Sequence, residues 1–348
     1  MKKRMLSIAL MLSVSMSLAG CGNTQEPPVI ESQEIIQESV ENNEVSENTK
    51  DEEQQNTDIN EETQGGELTF EDLSTRRFDF SSGAGAWGEE FTIEKDGYFT
   101  GKYFDSNMGE TGEGYPDGTF YSCSYSGHFT DLAKVGEYSY EMKLADISYK
   151  KEPGTEELVD GVKYIYTDAY FADASEVFHI YLPGMPVAEM SDELYMWIRD
   201  YNQSETELTM IVIADEKNEL ATASVERPAP YEEAKMTYDT YKESWEYYGD
   251  KLANEAQTTM DMRIYTWKIY ELSDEYLNYL WNLIRYNVSA ETYETLLEEQ
   301  RVWIASKEEK ANEIMEEYGG GTFAPVDVND TLAQMTIKRC EELIEYLK

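Results

Sequence analysis

From Leu68 to about Arg227 the chain alternates hydrophobic and polar positions with period two, in short runs rich in Tyr, Phe, Thr, Val and Ile. Period two sends successive side chains to opposite faces, so these runs predict half-buried β-strands. The runs fall at residues 77–80, 90–94, 98–104, 119–129, 137–149, 162–167, 177–182, 208–214 and 219–226. KDGY at 95–98 and DEKN at 215–218 carry the Asp, Asn and Gly that tight turns favour, and they predict hairpins. A short helix is expected at 192–201. Strands at such spacing predict an antiparallel β-barrel or sandwich, long enough to bury a core.

The strand pattern stops at RPAPYEEA. From Tyr231 to Lys348 the spacing of apolar residues becomes helical, with breaks expected at NVSAE (287–291) and YGGGTFAPVDVN (318–329). The predicted fold class is therefore α+β, a β-barrel or sandwich at 67–229 followed by an all-α helical bundle at 230–348.

The first residues have a different character. Lys2, Lys3 and Arg4 precede the apolar run MLSIALMLSVSMSLA, which ends in LAGC at Cys21. A basic start, an apolar stretch and small residues in that order form a secretory signal over residues 1–20, too short for a stable membrane span. The LAGC ending resembles a bacterial lipobox. That resemblance implies lipidation of Cys21 and a lipid anchor on the extracytoplasmic side of the cell membrane, with two or more acyl chains for firm retention. Between Gly22 and Gly66 there is no aromatic residue, and thirteen carboxylates face the single Lys50. Residues 21–66 are expected to be a disordered acidic tether, on the order of 40 Å across as a flexible coil.

Charge narrows the partners. The net charge is −43, and removal of the three signal cations would take the mature chain to about −46. Nucleic acid and anionic headgroups need Lys/Arg-rich faces, so both are excluded as expected partners, and contact with the membrane is expected through the lipid anchor only. A basic protein would instead be steered in at long range. Beyond Cys21 the mature chain has only Cys123 and Cys340, so no disulfide framework is expected; two isolated, semi-buried thiols are.

Chemistry-bearing patterns are few. GAGAWG at 83–88 matches the spacing of a dinucleotide-binding loop, but it leads into a hairpin and not a helix, which removes the helix N-terminus that holds pyrophosphate. Gly85 and Trp87 weakly resemble the entry of lipocalin-like barrels. DSNMGETGEGYPDG, from Asp105, starts like a calcium loop, then places Glu110 where the obligatory glycine belongs and Pro116 where the bidentate glutamate belongs. The only histidines, His128 and His179, lie in separate strands without metal-ligand spacing. No Ser or Cys sits in a nucleophile elbow, and among 71 acidic residues carboxylate pairs arise by chance. A non-catalytic binding protein without cofactors or metal is expected.

The helical segment carries an ordered set of short motifs. Asp261 and Met262 come first, then Asp274, Leu277 and Asn278, then Gln300 and Trp303, then Lys307 and Glu308, a Gly-rich turn, and Thr336, Arg339 and Leu343. From about residue 257 onward this resembles the LprI-like lysozyme inhibitor domain. Where members commonly have cysteines, this chain aligns Tyr265, Ala311 and Thr331, and Lys307 replaces an Arg, giving up bidentate geometry.

Spacing alone makes the same residues structural. Asp274, Leu277, Asn278 and Trp281 share one helix face, Gln300, Trp303 and Lys307 another, and Thr336, Arg339 and Leu343 a third. Facing stripes predict a bundle interior with a few polar groups that need partners, Asp274 pairing with Arg339 or Lys307. With Gln300, Trp303 and Lys307 turned inward, the acidic outer face at Glu298, Glu299 and Glu309 or the YGGGTFAP loop is left for a partner. The resemblance implies binding, and inhibition, of lysozyme or another wall-active protein. The alternative is a ligand- or glycan-binding β-domain with the helices as scaffold.

Overall fold

The computed structural model describes residues 67–81 and 85–348. The expected signal at 1–20, the tether at 21–66 and the lipidation site Cys21 lie outside the described residues. Between Arg227 and Pro228 the chain divides into two compact units.

The first unit begins with the short helix α1 (Phe70–Ser74), closed at its N-terminus by a reciprocal pair of hydrogen bonds between Thr69 and Asp72. Ten strands follow: β1 (Arg76–Phe80), β2 (Trp87–Ile93), β3 (Tyr98–Asn107), β4 (Thr119–Lys134), β5 (Ser139–Tyr149), β6 (Glu156–Val159), β7 (Val162–Tyr166), β8 (Val177–Tyr181), β9 (Val212–Asp215) and β10 (Leu220–Glu226). Pairing runs β3-β2-β1-β10-β9-β8-β5-β4, and β4 returns to β3 from Thr119↔Asn107 to His128↔Tyr98. That last ladder closes an eight-stranded antiparallel barrel and decides between the expected barrel and sandwich. The long β4 also carries an extension: its first residues pair in parallel with β7 (Thr119↔Lys163 to Ser122↔Tyr166), and β6 pairs with β7. Further along, β4 turns to β5 through register shifts after His128 and Thr130, the kind of bulge that bends a barrel wall.

The two expected hairpins form, each for a local reason. Gly97 joins β2 to β3 with φ of 88°, and a Cβ there would meet the Phe129 carbonyl oxygen at 2.3 Å. Between β9 and β10, Asp215 Oδ1 accepts from the backbone N–H groups of Lys217 and Asn218.

Alternation sends Phe78, Phe80, Phe91, Phe99, Phe129 and Phe178 into the barrel, where they pack with Tyr140, Met142 and Phe171. A buried acid shares that interior. Glu89 on β2 is buried, accepts from the Tyr125 hydroxyl at 2.7 Å, and accepts the backbone N–H groups of Tyr170 and Phe171 at 2.8 Å and of Ala172 at 3.0 Å. It pins the β7–β8 connection into the core. Outside the wall, α2 (Asp192–Ile198) begins at the N-cap Ser191 and covers β9 and β10 with Leu194 and Ile198.

The structure departs from the sequence expectations in several places. β2 begins at Trp87 and not at 90, β3 and β4 run on to Asn107 and Lys134, β9 is shorter than 208–214, the short helix ends at Ile198 and not at 201, and β6 is an additional strand.

The second unit is a bundle of α3 (Pro230–Asn254), α4 (Thr259–Asn287), α5 (Ala290–Glu317) and α6 (Ala324–Ile344), followed by a 3₁₀ turn at Glu345–Leu347. Pro230 stands at the start of α3, where its missing N–H costs nothing. Thr258 and Asp261 cap α4 reciprocally, and Ser289 caps α5 through the Thr292 N–H. Two corrections follow. The chain also breaks between Asn254 and Thr258, making four long helices, and α6 starts at Ala324, inside the segment expected to be a linker. α4 is the central element, with Tyr276, Leu280 and Ile284 fully buried. α3 lays Tyr238, Tyr241 and Trp245 against Tyr276, whose hydroxyl donates to the Ala234 carbonyl at 2.9 Å.

Candidate functional site

Helical spacing brings most of the motif residues of the second unit together where α4, α5 and α6 meet. Lys307, buried on α5, has its ammonium 3.2 Å from Asp274 Oδ1 and 3.2 Å from the Tyr270 hydroxyl, both on α4. The same ammonium lies 5.3 Å from the centre of the Tyr270 ring and 5.0 Å from that of Trp303. Burial pushes the Lys307 ammonium down, but Asp274 and Tyr270 outweigh it, so its pKa is raised and it stays charged. Asn278, one turn after Asp274, donates to the free Asp274 oxygen at 3.4 Å.

Of the two partners expected for Asp274, the structure selects Lys307. Arg339 on α6 goes elsewhere: its Nε donates to Gln300 Oε1 at 3.0 Å, and its guanidinium stands 3.4 Å from Glu342 and 3.6 Å from Glu299. Thr336 is fully buried and donates to the Leu332 carbonyl, one turn back on its own helix. Leu277 is buried in the core, and Met262 is half-buried in the first turn of α4. Thus Asp274, Asn278, Gln300, Trp303, Lys307 and Arg339 form one site, whereas Leu277, Met262 and Thr336 are packing positions beside it. Tyr270 was missed by sequence reasoning, although it lies one turn before Asp274 on the same face.

The site has an inner and an outer side. Inside, a cavity of about 10 Å³ lies among Asp274, Asn278, Trp281, Gln300, Trp303 and Lys307, enough for about one water and too small for a ligand. Trp281 is buried there, and its indole N–H has no hydrogen-bond partner among the described residues. Outside, Trp303 and Arg339 form part of an open groove of about 500 Å³ with Glu298, Glu299 and Val302. Trp303 is therefore only half-buried and separates cavity from groove, a correction to the expectation that it turns wholly inward.

This arrangement coincides with a known family pattern. Residues 249–343 match the family model "Lysozyme inhibitor LprI". The LprI match covers about a quarter of the chain, starts within α3 and ends in the last turn of α6, so it contains every residue of the cluster just described. Comparison with curated proteins and with solved structures gives no match.

In the first unit the histidines do not gather. His128 faces Asp146 at 3.2 Å on the barrel exterior, and His179 faces Glu141 at 3.2 Å. Among the described residues no group of three or more His, Cys, Asp or Glu is placed to hold a metal. Cys123 and Cys340 are both buried and unpaired, one in each unit. The loop after Asp105 is organised by its own side chains, with Tyr121 donating to Glu110 at 2.9 Å and Asn107 accepting from the Gly109 N–H. No helix among the described residues is long and apolar enough to cross a membrane.

Proposed function

We propose that this is a non-catalytic envelope protein, anchored to the outer side of the cell membrane through a lipid on Cys21, whose helical unit binds and inhibits a lysozyme or a related wall-active protein. The observation that carries this reading is the LprI match over 249–343, joined to an intact interior cluster built from the matching residues. Charge supports the choice of target. A chain at −43 attracts basic proteins, and long-range attraction raises the association rate most at low salt. The barrel interior is occupied by its own aromatic side chains, so the ligand-binding alternative gains no observation in its favour.

The test is the clearing of a cell-wall suspension by a basic lysozyme, with and without the chain from residue 21 onward. Clearing should slow at low salt and recover partly as salt screens the attraction. Unchanged clearing at a large molar excess overturns the reading. For the anchor, Cys21→Ala should move the protein from the membrane fraction to the soluble one.

A further inference from the structure

Val302 is 71% exposed at the edge of the α5–α6 groove, although it belongs to a helix whose other face is packed. Beside it lie one face of the half-buried Trp303 and the guanidinium of Arg339, fixed from behind by Gln300. Glu298 and Glu299 flank them, with side chains 70% and 47% exposed; Glu298 pairs with Arg301 one turn along its own helix, and Glu299 lies near Arg339. Arg339 Nη2 is buried and makes no hydrogen bond among the described residues, with Glu299 standing 3.6 Å away. An aliphatic edge, an aromatic wall, two carboxylates and a held guanidinium thus meet around an open groove of about 500 Å³.

Resting on the function proposed above, we infer that this groove is the docking site for a lysine- or arginine-bearing loop of the basic target. The aliphatic stem of such a residue covers Val302 and Trp303, and its cationic head reaches Glu298 and Glu299. The net charge of −43 disfavours anionic occupants and a second copy of the chain alike. The inference gives the inner cluster a purpose beyond stability. Lys307, Asp274 and Gln300 hold Trp303 and Arg339 in place, and these present the docking surface.

The experiment measures binding of a basic lysozyme to the chain from residue 21 onward at moderate salt, comparing wild type with Val302→Arg, Glu298→Lys and, on α3, Glu243→Lys. Val302→Arg should weaken binding by about tenfold or more, because it removes the apolar edge that the stem covers and brings a competing cation to the carboxylates that hold the target's. Glu298→Lys should weaken it in the same direction, and Glu243→Lys, an equal charge change on a remote exposed face, by less than about threefold. If wild type binds and Val302→Arg binds equally well, the groove assignment is wrong while the inhibitor reading stands. If wild type does not bind, the inhibitor reading falls and the groove assignment with it. Should Val302→Arg instead turn a dimer into a monomer in sedimentation, the groove is a self-contact and the inference is overturned. Urea midpoints establish folding of each variant, and if Val302→Arg fails to fold, Glu298→Lys decides.

Discussion

The ammonium of Lys307 lies 3.2 Å from a carboxylate oxygen of Asp274 on the neighbouring helix, and both side chains are largely removed from solvent. A pair in this setting does not stabilise much relative to apolar residues, because desolving both charges offsets their attraction. What it does is make each partner necessary to the other. Lys307→Met leaves the Asp274 carboxylate without its counter-charge and should destabilise the helical unit by about 3 to 5 kcal/mol, with Asp274→Asn close behind. The double replacement Asp274→Leu with Lys307→Leu should recover much of that loss. Urea unfolding of wild type, Asp274→Leu, Lys307→Leu and their double variant checks this as a double-mutant cycle, and a double variant as unstable as the sum of the singles rules it out.

Glu89 gives the barrel its own sensitive position. Each of its oxygens accepts two hydrogen bonds, Oε1 from Tyr125 and Ala172, and Oε2 from Tyr170 and Phe171. Glu89→Gln keeps shape and size but turns one acceptor into a donor, so two protein donors then face a third. A loss of about 3 kcal/mol or more is expected, against about 1 kcal/mol for Tyr125→Phe, which removes a single partner. Amide exchange at residues 170–172 should accelerate in Glu89→Gln. Equal stability of the two variants would show that the loop is held by packing alone.

Burial pushes the Cys123 thiol up to about 12 and the Tyr103 hydroxyl up to about 12. Both groups are neutral when protonated, so a raised folded value means that the folded state holds its proton longer than the unfolded state does. The stability linked to them is complete below their ordinary values, near 8.5 and 10, and is lost as pH rises toward 12. The barrel should therefore unfold in alkali. In a Cys21→Ser background neither Cys123 nor Cys340 should react with a thiol reagent at neutral pH until denaturant is added. Fast labelling of the folded protein would show that one of these thiols is reached through local opening.

How much of this was legible depends on which signal each element carried. Closure of the barrel was open in the sequence, because the β3–β4 ladder joins strands whose alternation fits a sandwich equally well. β6 was missed although its turn is written plainly: Asp160 and Gly161 both have positive φ, as a two-residue hairpin of the Asp-Gly type requires. The break between α3 and α4 contains neither Gly nor Pro, and only Thr258 with Asp261 three residues later marks it. Glu89 was also visible in principle, since it shares its face of β2 with Phe91 and Ile93. Within the site, spacing put the right residues on the right faces. It could not choose Lys307 over Arg339 for Asp274, because that choice depends on how α6 is rotated against α5. The half-exposure of Trp303 is likewise set by packing between helices.

The family match begins at residue 249, yet the bundle's packing begins earlier. Tyr238, Tyr241 and Trp245, all buried, bring their rings within 5.4 to 6.3 Å of Tyr276. Ala234 accepts the Tyr276 hydroxyl, and Tyr238 donates to Glu341 on α6 at 2.6 Å. A chain cut at 249 would expose the apolar face of α4 that these aromatics cover and leave the Tyr276 hydroxyl unpaired. Loss of each large buried aromatic costs about 3 to 5 kcal/mol, so losing three, about 9 to 15 kcal/mol, matches the roughly 5 to 15 kcal/mol that holds a typical domain together. Residues 228–348 should accordingly fold alone with a cooperative thermal transition, whereas 249–348 should show helix content without one and should bind a hydrophobic dye. A cooperative transition in the shorter piece would mean that the matched segment is self-sufficient and that α3 is an addition to it.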